Sequence, residues 1–88
     1  MKGARGRVWT VYMLRCRDGS LYTGITNDLP KRLTRHHAGT ASAYTRARRP
    51  VRLVFQERQP DRSAALRREA ALRRLSRGEK LALVRAGR

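Results

Sequence analysis

Two segments near the start of the chain, residues 8–16 (Val-Trp-Thr-Val-Tyr-Met-Leu-Arg-Cys) and 21–26 (Leu-Tyr-Thr-Gly-Ile-Thr), are β-branched, aromatic or aliphatic almost throughout. Only Arg17-Asp18-Gly19-Ser20 separates them. Such runs around an Asp-Gly turn predict a β-hairpin, because extended backbone suits those side chains and glycine accepts the turn's positive φ. A hairpin alone cannot bury its faces, so it commits the chain to a further strand and to helices that cover the sheet. The turn has two forms. A two-residue Asp18-Gly19 turn pairs Tyr12 with Ile25 and sends Tyr12 and Tyr22 to opposite faces. A three-residue Arg17-Asp18-Gly19 loop, with Gly19 left-handed, pairs Tyr12 with Gly24 and Leu14 with Tyr22, and both rings then share a face.

The rest of the chain supplies the missing strand and helices. Asn27-Asp28 has N-cap chemistry, Pro30 suits a first helical turn, Leu29 and Leu33 share a face and Gly39 ends the pattern, which predicts a helix over residues 29–38. Residues 40–50 show no period and carry Arg46, Arg48 and Arg49 around Tyr44, the pattern of a basic surface loop. Val51, Leu53 and Phe55 alternate with Arg52, Val54 and Gln56, predicting a third strand half-buried on a core. Pro60-Asp61 closes that strand and caps a helix over residues 63–75, in which Ala65, Leu72 and Leu75 fall along one side. Ser76 and Glu79 have capping-box spacing and start a last helix that runs to about Arg85. The order β-β-α-β-α-α predicts a small α/β domain over residues 8–88, a three-stranded antiparallel sheet covered by about three helices, after a basic arm of residues 1–7.

Charge narrows the partner. The 88 residues hold 22 Lys+Arg against 6 Asp+Glu, a formal net charge of +16, and so favour polyanions: nucleic acid first, anionic membrane second. No run approaches the roughly 18 apolar residues of a spanning helix, and no signal-peptide core precedes the first strand, so the cytoplasm is the expected compartment. A single cysteine, Cys16, and the adjacent His36 and His37 exclude a disulfide scaffold and a zinc finger.

The acidic residues sort by elimination. Asp18 belongs to a turn, Asp28 and Asp61 are caps, Glu79 closes the capping box, and Glu57 ends a strand, where a solvated side chain is ordinary. Glu69 is different, because it lies mid-helix beside the apolar stripe. Its ordinary role is pairing with Arg62, Arg68 or Arg73; its functional role is to ligate magnesium, an ion that takes one or two carboxylates plus waters and phosphate oxygens. Arg32 and His36 share a helix face, a spacing that serves solvated or phosphate-contacting pairs as well as catalysis. Tyr12 and Tyr22 lie in strands, where tyrosines pack as often as they react.

The order of these residues is more telling. Thr10-Val11-Tyr12, Tyr22-Thr23-Gly24, residues 29–36 (Leu-Pro-Lys-Arg-Leu-Thr-Arg-His) and Glu69 resemble the GIY-YIG nuclease family over nearly the whole chain. Trp9-x-Val11-Tyr12, the Leu-Tyr-Thr-Gly-Ile-Thr strand, Tyr44-Thr45-Arg46-Ala47-Arg48, Pro50-Val51-x-Leu53-Val54 and Arg68-Glu69-Ala70 resemble its small stand-alone bacterial members. Thr10 stands where the family name has glycine, and Val11 and Thr23 where it has isoleucine. The asparagine that many relatives carry beyond the glutamate is missing, Asn27 being the only asparagine.

The resemblance implies a metal-dependent endonuclease that hydrolyses phosphodiester bonds in DNA, structure-selective or non-specific, in repair or recombination. Glu69 would hold Mg²⁺ or Mn²⁺ and Arg32 would stabilise charge on the phosphoryl group. Tyr12 would be the general base, assisted by the metal, Arg32 and Arg35, while Tyr22 and His36 orient water or phosphate. Gly24 would let the scissile strand approach closely. Tyr44, Arg46, Arg48 and Arg49 in the loop and Arg67, Arg68, Arg73 and Arg74 on the second helix would bind the substrate, mostly through phosphate. RNA can replace DNA in such contacts, and a protein partner would supply the specificity that 88 residues lack. The alternative is a non-catalytic basic protein that keeps the fold and binds DNA or ribosomal RNA. One site for both tyrosines requires the three-residue turn, with Arg32 and Glu69 converging on the tyrosine face.

Overall fold

The hairpin closes through the three-residue turn. In the computed structural model, which describes residues 8–87, β1 (Trp9–Arg15) pairs antiparallel with β2 (Leu21–Thr26), Tyr12 opposite Gly24 and Leu14 opposite Tyr22. The Cys16 amide donates to the Ser20 carbonyl at 2.9 Å, and Gly19 has φ +87°, the left-handed conformation that a side chain would strain. Asp18 accepts from the Ser20 amide and hydroxyl, which holds its carboxyl below the usual carboxylate range. The basic arm expected over residues 1–7 lies outside the described residues.

After β2 come α1 (Leu29–Ala38), α2 (Ala43–Arg46), β3 (Arg52–Gln59), α3 (Arg62–Arg73) and α4 (Arg77–Ala86), and the sheet order is β2-β1-β3. Local signals placed most of these. Asp28 caps α1 by accepting from the Lys31 amide, Asp61 caps α3 by accepting from Ala64, and Ser76 and Glu79 form the reciprocal capping box of α4. Gly39, at φ +83°, ends α1.

Two expectations are corrected. The stretch read as an aperiodic loop holds a fourth helix, the short α2, in which Ser42 accepts from the Thr45 amide as N-cap. On β3, Val51, Leu53 and Phe55 do not share a face. Met13 pairs with Phe55 but Leu14 pairs with Leu53, so a bulge at Val54 reverses the strand's alternation. Both faces of the sheet are covered, and the bulge lets one strand feed both. Tyr12, Leu14, Cys16 and Val51 form one buried layer, with Leu29 and Leu33 of α1 packed on it. Val11, Met13 and Phe55 form the other with Ala65 and Leu72 of α3, joined by Leu83 and Val84 of α4. Leu72 is fully buried, worth roughly 1.5–3 kcal/mol, so α3 is held by this stripe more than by its arginine-rich surface.

Candidate active site

Strand parity puts Tyr12 under α1, and the bare edge of Gly24 lets its ring reach across β2. A Cβ on Gly24 would lie 2.6 Å from Tyr12 Oη, so the glycine is required by this close approach. His36 follows Arg32 by one turn of α1 and is buried against the same ring, with Nε2 2.8 Å from Tyr12 Oη and Nδ1 2.9 Å from Thr45 Oγ1. Tyr22 lies 6.5 Å from Tyr12 and 5.3 Å from His36, ring centre to ring centre. The Arg32 guanidinium stands beside the Tyr12 phenol.

These neighbours set the protonation states. Burial first, then Tyr22, pushes the Tyr12 phenol up from 10.0 to about 12, against the opposing Arg32 charge. Burial, then Arg32 and His37, pushes His36 down from 6.5 to about 4. Near neutrality both rings are therefore uncharged, and Tyr12 is a phenol that hydrogen-bonds, not a standing phenolate.

The depressed His36 has a consequence for stability. The unfolded chain takes up this proton near pH 6.5 and the folded one only near pH 4, so His36 leaves stability untouched above pH 6.5 and lowers it as pH falls from 6.5 to 4. The loss should be on the order of 2–3 kcal/mol and disappear in His36→Gln, as read by urea midpoints at pH 7 and pH 4.5. A wild-type midpoint that does not move between those pH values would refute it.

Glu69 reaches the site from an unexpected side. The sequence reading put it on the tyrosine face, but α3 packs on the opposite face, through Ala65 and Leu72 against Val11 and Met13. Glu69 comes to Tyr12 around the edge strand β2, where its charge raises the phenol pKa. Arg73 secures that placement, because its Nη2 donates at 3.1 Å both to Glu69 Oε2 and to the Thr23 carbonyl on β2. Glu69 is 17% exposed and Arg73 58%.

A divalent cation fits this donor set only in company with substrate. Among the described residues no three His, Cys, Asp or Glu side chains cluster, so the chain offers one carboxylate, with one of its oxygens engaged by Arg73. Magnesium and manganese accept such sites, completing their shells with water and phosphate oxygens.

The basic residues divide into tied and untied groups. Arg48 donates to Asp18 at 3.1 Å and lies 3.8 Å from the centre of the Tyr44 ring, which also stacks with Tyr22 at 6.0 Å. Arg49 donates to the carbonyls of Arg46 and His37 and lies flat on Gly39, pinning the α2 region to the end of α1. Arg68 pairs with Glu57 at 2.7 Å, and Arg67 bonds Ser63. Arg35, Arg46 and Arg74 are exposed.

Sequence reasoning missed two neighbours. A cleft of about 410 Å³ beside the site is lined by Leu21, Tyr22, Thr23, Tyr44, Arg73 and Lys80, and no local pattern singles out that lysine of α4. Thr45 is fully buried against His36; the Ser42-x-x-Thr45 cap spacing was its available signal.

This constellation sits inside a match between the GIY-YIG catalytic domain model and residues 8–82. The chain belongs to the GIY-YIG family. It is 50% identical over 78 residues to a UPF0213 protein of Xanthomonas axonopodis pv. citri, covering 89% of this chain and 76% of that one. It is 46% identical over 77 residues to a UPF0213 protein of Staphylococcus saprophyticus, covering 88% and 94%. The solution NMR structure of the UPF0213 protein BH0048 from Bacillus halodurans superposes with a TM-score of 0.59 at 42% identity, covering 90% of this chain and 84% of that one. Tyr12 and Gly24, both inside the matched residues, make the tightest contact that a Cβ on any glycine of the described residues would meet. No helix among the described residues is long and apolar enough to cross a membrane.

Proposed function

We propose that this chain is an endonuclease that hydrolyses phosphodiester bonds in DNA, without base readout, in repair or recombination in the cytoplasm. The observation that carries the reading is the buried Tyr12 hydroxyl, bonded to His36 Nε2 and flanked by the opposite charges of Arg32 and Glu69. Sheet packing needs none of these charges, and simple phosphate binding has no use for a carboxylate at the same point. Glu69 would hold Mg²⁺ or Mn²⁺ jointly with the substrate; when bound, that ion neutralises charge on the phosphoryl oxygens.

The chain's own residues account for the proton. Arg32 engages the scissile phosphate, which draws its guanidinium from the phenol and lets water approach Tyr12 Oη. The same ion pairing screens the Arg32 charge that adds to burial in depressing His36, making the imidazole a better acceptor. Tyr12 then takes a proton from the attacking water as its own passes to His36, so the phenol relays a proton without first ionising. Arg73 and Lys80, lining the cleft beside Tyr22, and the exposed Arg35 and Arg46 contact flanking phosphates, with salt-sensitive affinity.

Supercoiled-plasmid nicking in Mg²⁺ or Mn²⁺ tests this, wild type beside Arg32→Ala. The variant should lose about 10²–10³-fold in turnover and much less in affinity, since many cations share binding but one reaches the reacting phosphate. A wild-type protein that binds plasmid tightly and never nicks it with either metal would leave the non-catalytic alternative. A loss confined to affinity would make Arg32 an ordinary phosphate contact.

A further inference from the structure

Thr45 has no part in the proposed reaction, yet its hydroxyl is buried at the far end of the hydrogen-bond chain that begins at Tyr12. Thr45 Oγ1 is 2.9 Å from His36 Nδ1, 3.0 Å from Ser42 Oγ and 3.4 Å from the Ser42 carbonyl. His36 bridges two hydroxyls, and a neutral imidazole carries one N–H, so two proton arrangements exist.

In the first, His36 Nδ1–H donates to Thr45, Thr45 donates onward to Ser42, and Tyr12 donates to Nε2. Every proton has an acceptor. Ser42 Oγ still accepts from the Thr45 amide at 3.1 Å, so the cap of α2 is kept. In the second, Thr45 donates to Nδ1 and Nε2–H donates to Tyr12, whose own proton must go elsewhere. The Arg32 guanidinium beside the phenol only donates, Tyr12 has no solvent exposure, and among the described residues no other side-chain hydrogen bond reaches its hydroxyl. A buried hydroxyl proton without an acceptor disfavours that arrangement.

We propose that Thr45 is a positioning residue that holds His36 in the Nδ1–H tautomer, with the Nε2 lone pair facing Tyr12. The consequence for catalysis rests on the hydrolytic reading above. With Nε2 as acceptor, the water oxygen bonds to phosphorus, one water proton moves to Tyr12 Oη and the Tyr12 proton moves to His36 Nε2. The bond from phosphorus to the leaving oxygen breaks, that oxygen takes a proton from solvent, and the imidazolium returns one to solvent. With Nε2–H instead, the phenol proton has no exit and the relay stops.

The tautomer is read directly by long-range ¹H–¹⁵N correlation of the imidazole ring in uniformly labelled protein, without reference to activity. Wild type and Thr45→Ser, which keeps the hydroxyl, should both show Nδ1–H alone. In Thr45→Val, which keeps the shape but cannot accept, each tautomer leaves one buried proton unpaired, Nδ1–H in one and the Tyr12 hydroxyl in the other, so the two should become mixed. Nicking should fall about tenfold in Thr45→Val, as the productive tautomer is diluted and the ring loses its anchor, and recover to within about twofold of wild type in Thr45→Ser. A wild-type spectrum with Nε2–H overturns the proposal without any variant, and so does a folded Thr45→Val that keeps Nδ1–H alone. Unchanged nicking in a Thr45→Val protein whose tautomers are mixed overturns the catalytic half. If wild type does not nick DNA at all, the nuclease reading fails while the spectra still decide what Thr45 does to His36.

Discussion

Glu69→Gln is expected to abolish nicking of supercoiled DNA, by about 10³-fold or more, while affinity for the same DNA stays level or rises slightly. The substitution keeps size and removes the one carboxylate charge that acts on Tyr12. Loss of fold would not explain the result, because the pair that Glu69 makes is an i,i+4 contact with an exposed Arg73, a class worth about 0.3–0.5 kcal/mol. Affinity has reason to rise, since a negative charge beside the phosphate path is gone. Fluorescence anisotropy on a short labelled duplex and a plasmid assay, run on the same preparation, separate the two quantities. Equal nicking by both proteins would leave Glu69 as nothing more than a surface partner of Arg73.

Gly24→Ala is expected to damage fold and activity together. The new Cβ would fall 2.6 Å from Tyr12 Oη and 2.8 Å from Tyr12 Cζ, closer than such atoms approach. The ring cannot slide freely, since it packs against Tyr22 and its hydroxyl bonds His36 at 2.8 Å. Either that buried bond breaks, or β2 bows outward and pulls the Thr23 carbonyl from Arg73. Leaving the hydroxyl and imidazole unpaired costs about 1–3 kcal/mol, which corresponds to a fall in Tm of roughly 5–20 °C for a domain of this size. A misplacement on the scale of about 1 Å at a reacting group lowers turnover about 10²-fold. Gly78→Ala is the control, because its Cβ would meet only Ser76 Oγ at 4.0 Å. A Gly24→Ala protein with wild-type melting and nicking would show that the close approach to Tyr12 is dispensable.

Much of the site was legible before the fold. Tyr12, Tyr22, Arg32, His36 and Glu69 were singled out by their order along the chain, and the first four meet under α1 because helix and strand periods carry them there. The requirement that both tyrosines share a face selected the three-residue turn over the two-residue one, and the pairing of Tyr12 with Gly24 agrees. The basic residues were harder to read, since an arginine's partner is not encoded by its neighbours. Arg48, Arg49 and Arg68, expected as phosphate ligands, also engage Asp18, backbone carbonyls and Glu57, contacts that no local pattern announces.

What the chain determines by itself is whatever closes within a few residues. The Asp28, Asp61 and Ser76–Glu79 caps, the Gly39 stop and the Asp18-Gly19 turn satisfy backbone groups one to four positions away, so their chemistry is complete in the local sequence. What only the tertiary structure decides is contact between distant segments: the bulge at Val54 that turns Phe55 to the other face, and the side of the sheet that α3 covers. Tyr12 meets His36 across 24 positions and Arg73 meets Thr23 across 50, and both depend on which apolar face each element buries. Burial is non-directional, so alternation and helical period mark an apolar face without naming its partner; packing both faces of one small sheet at once is what selects it.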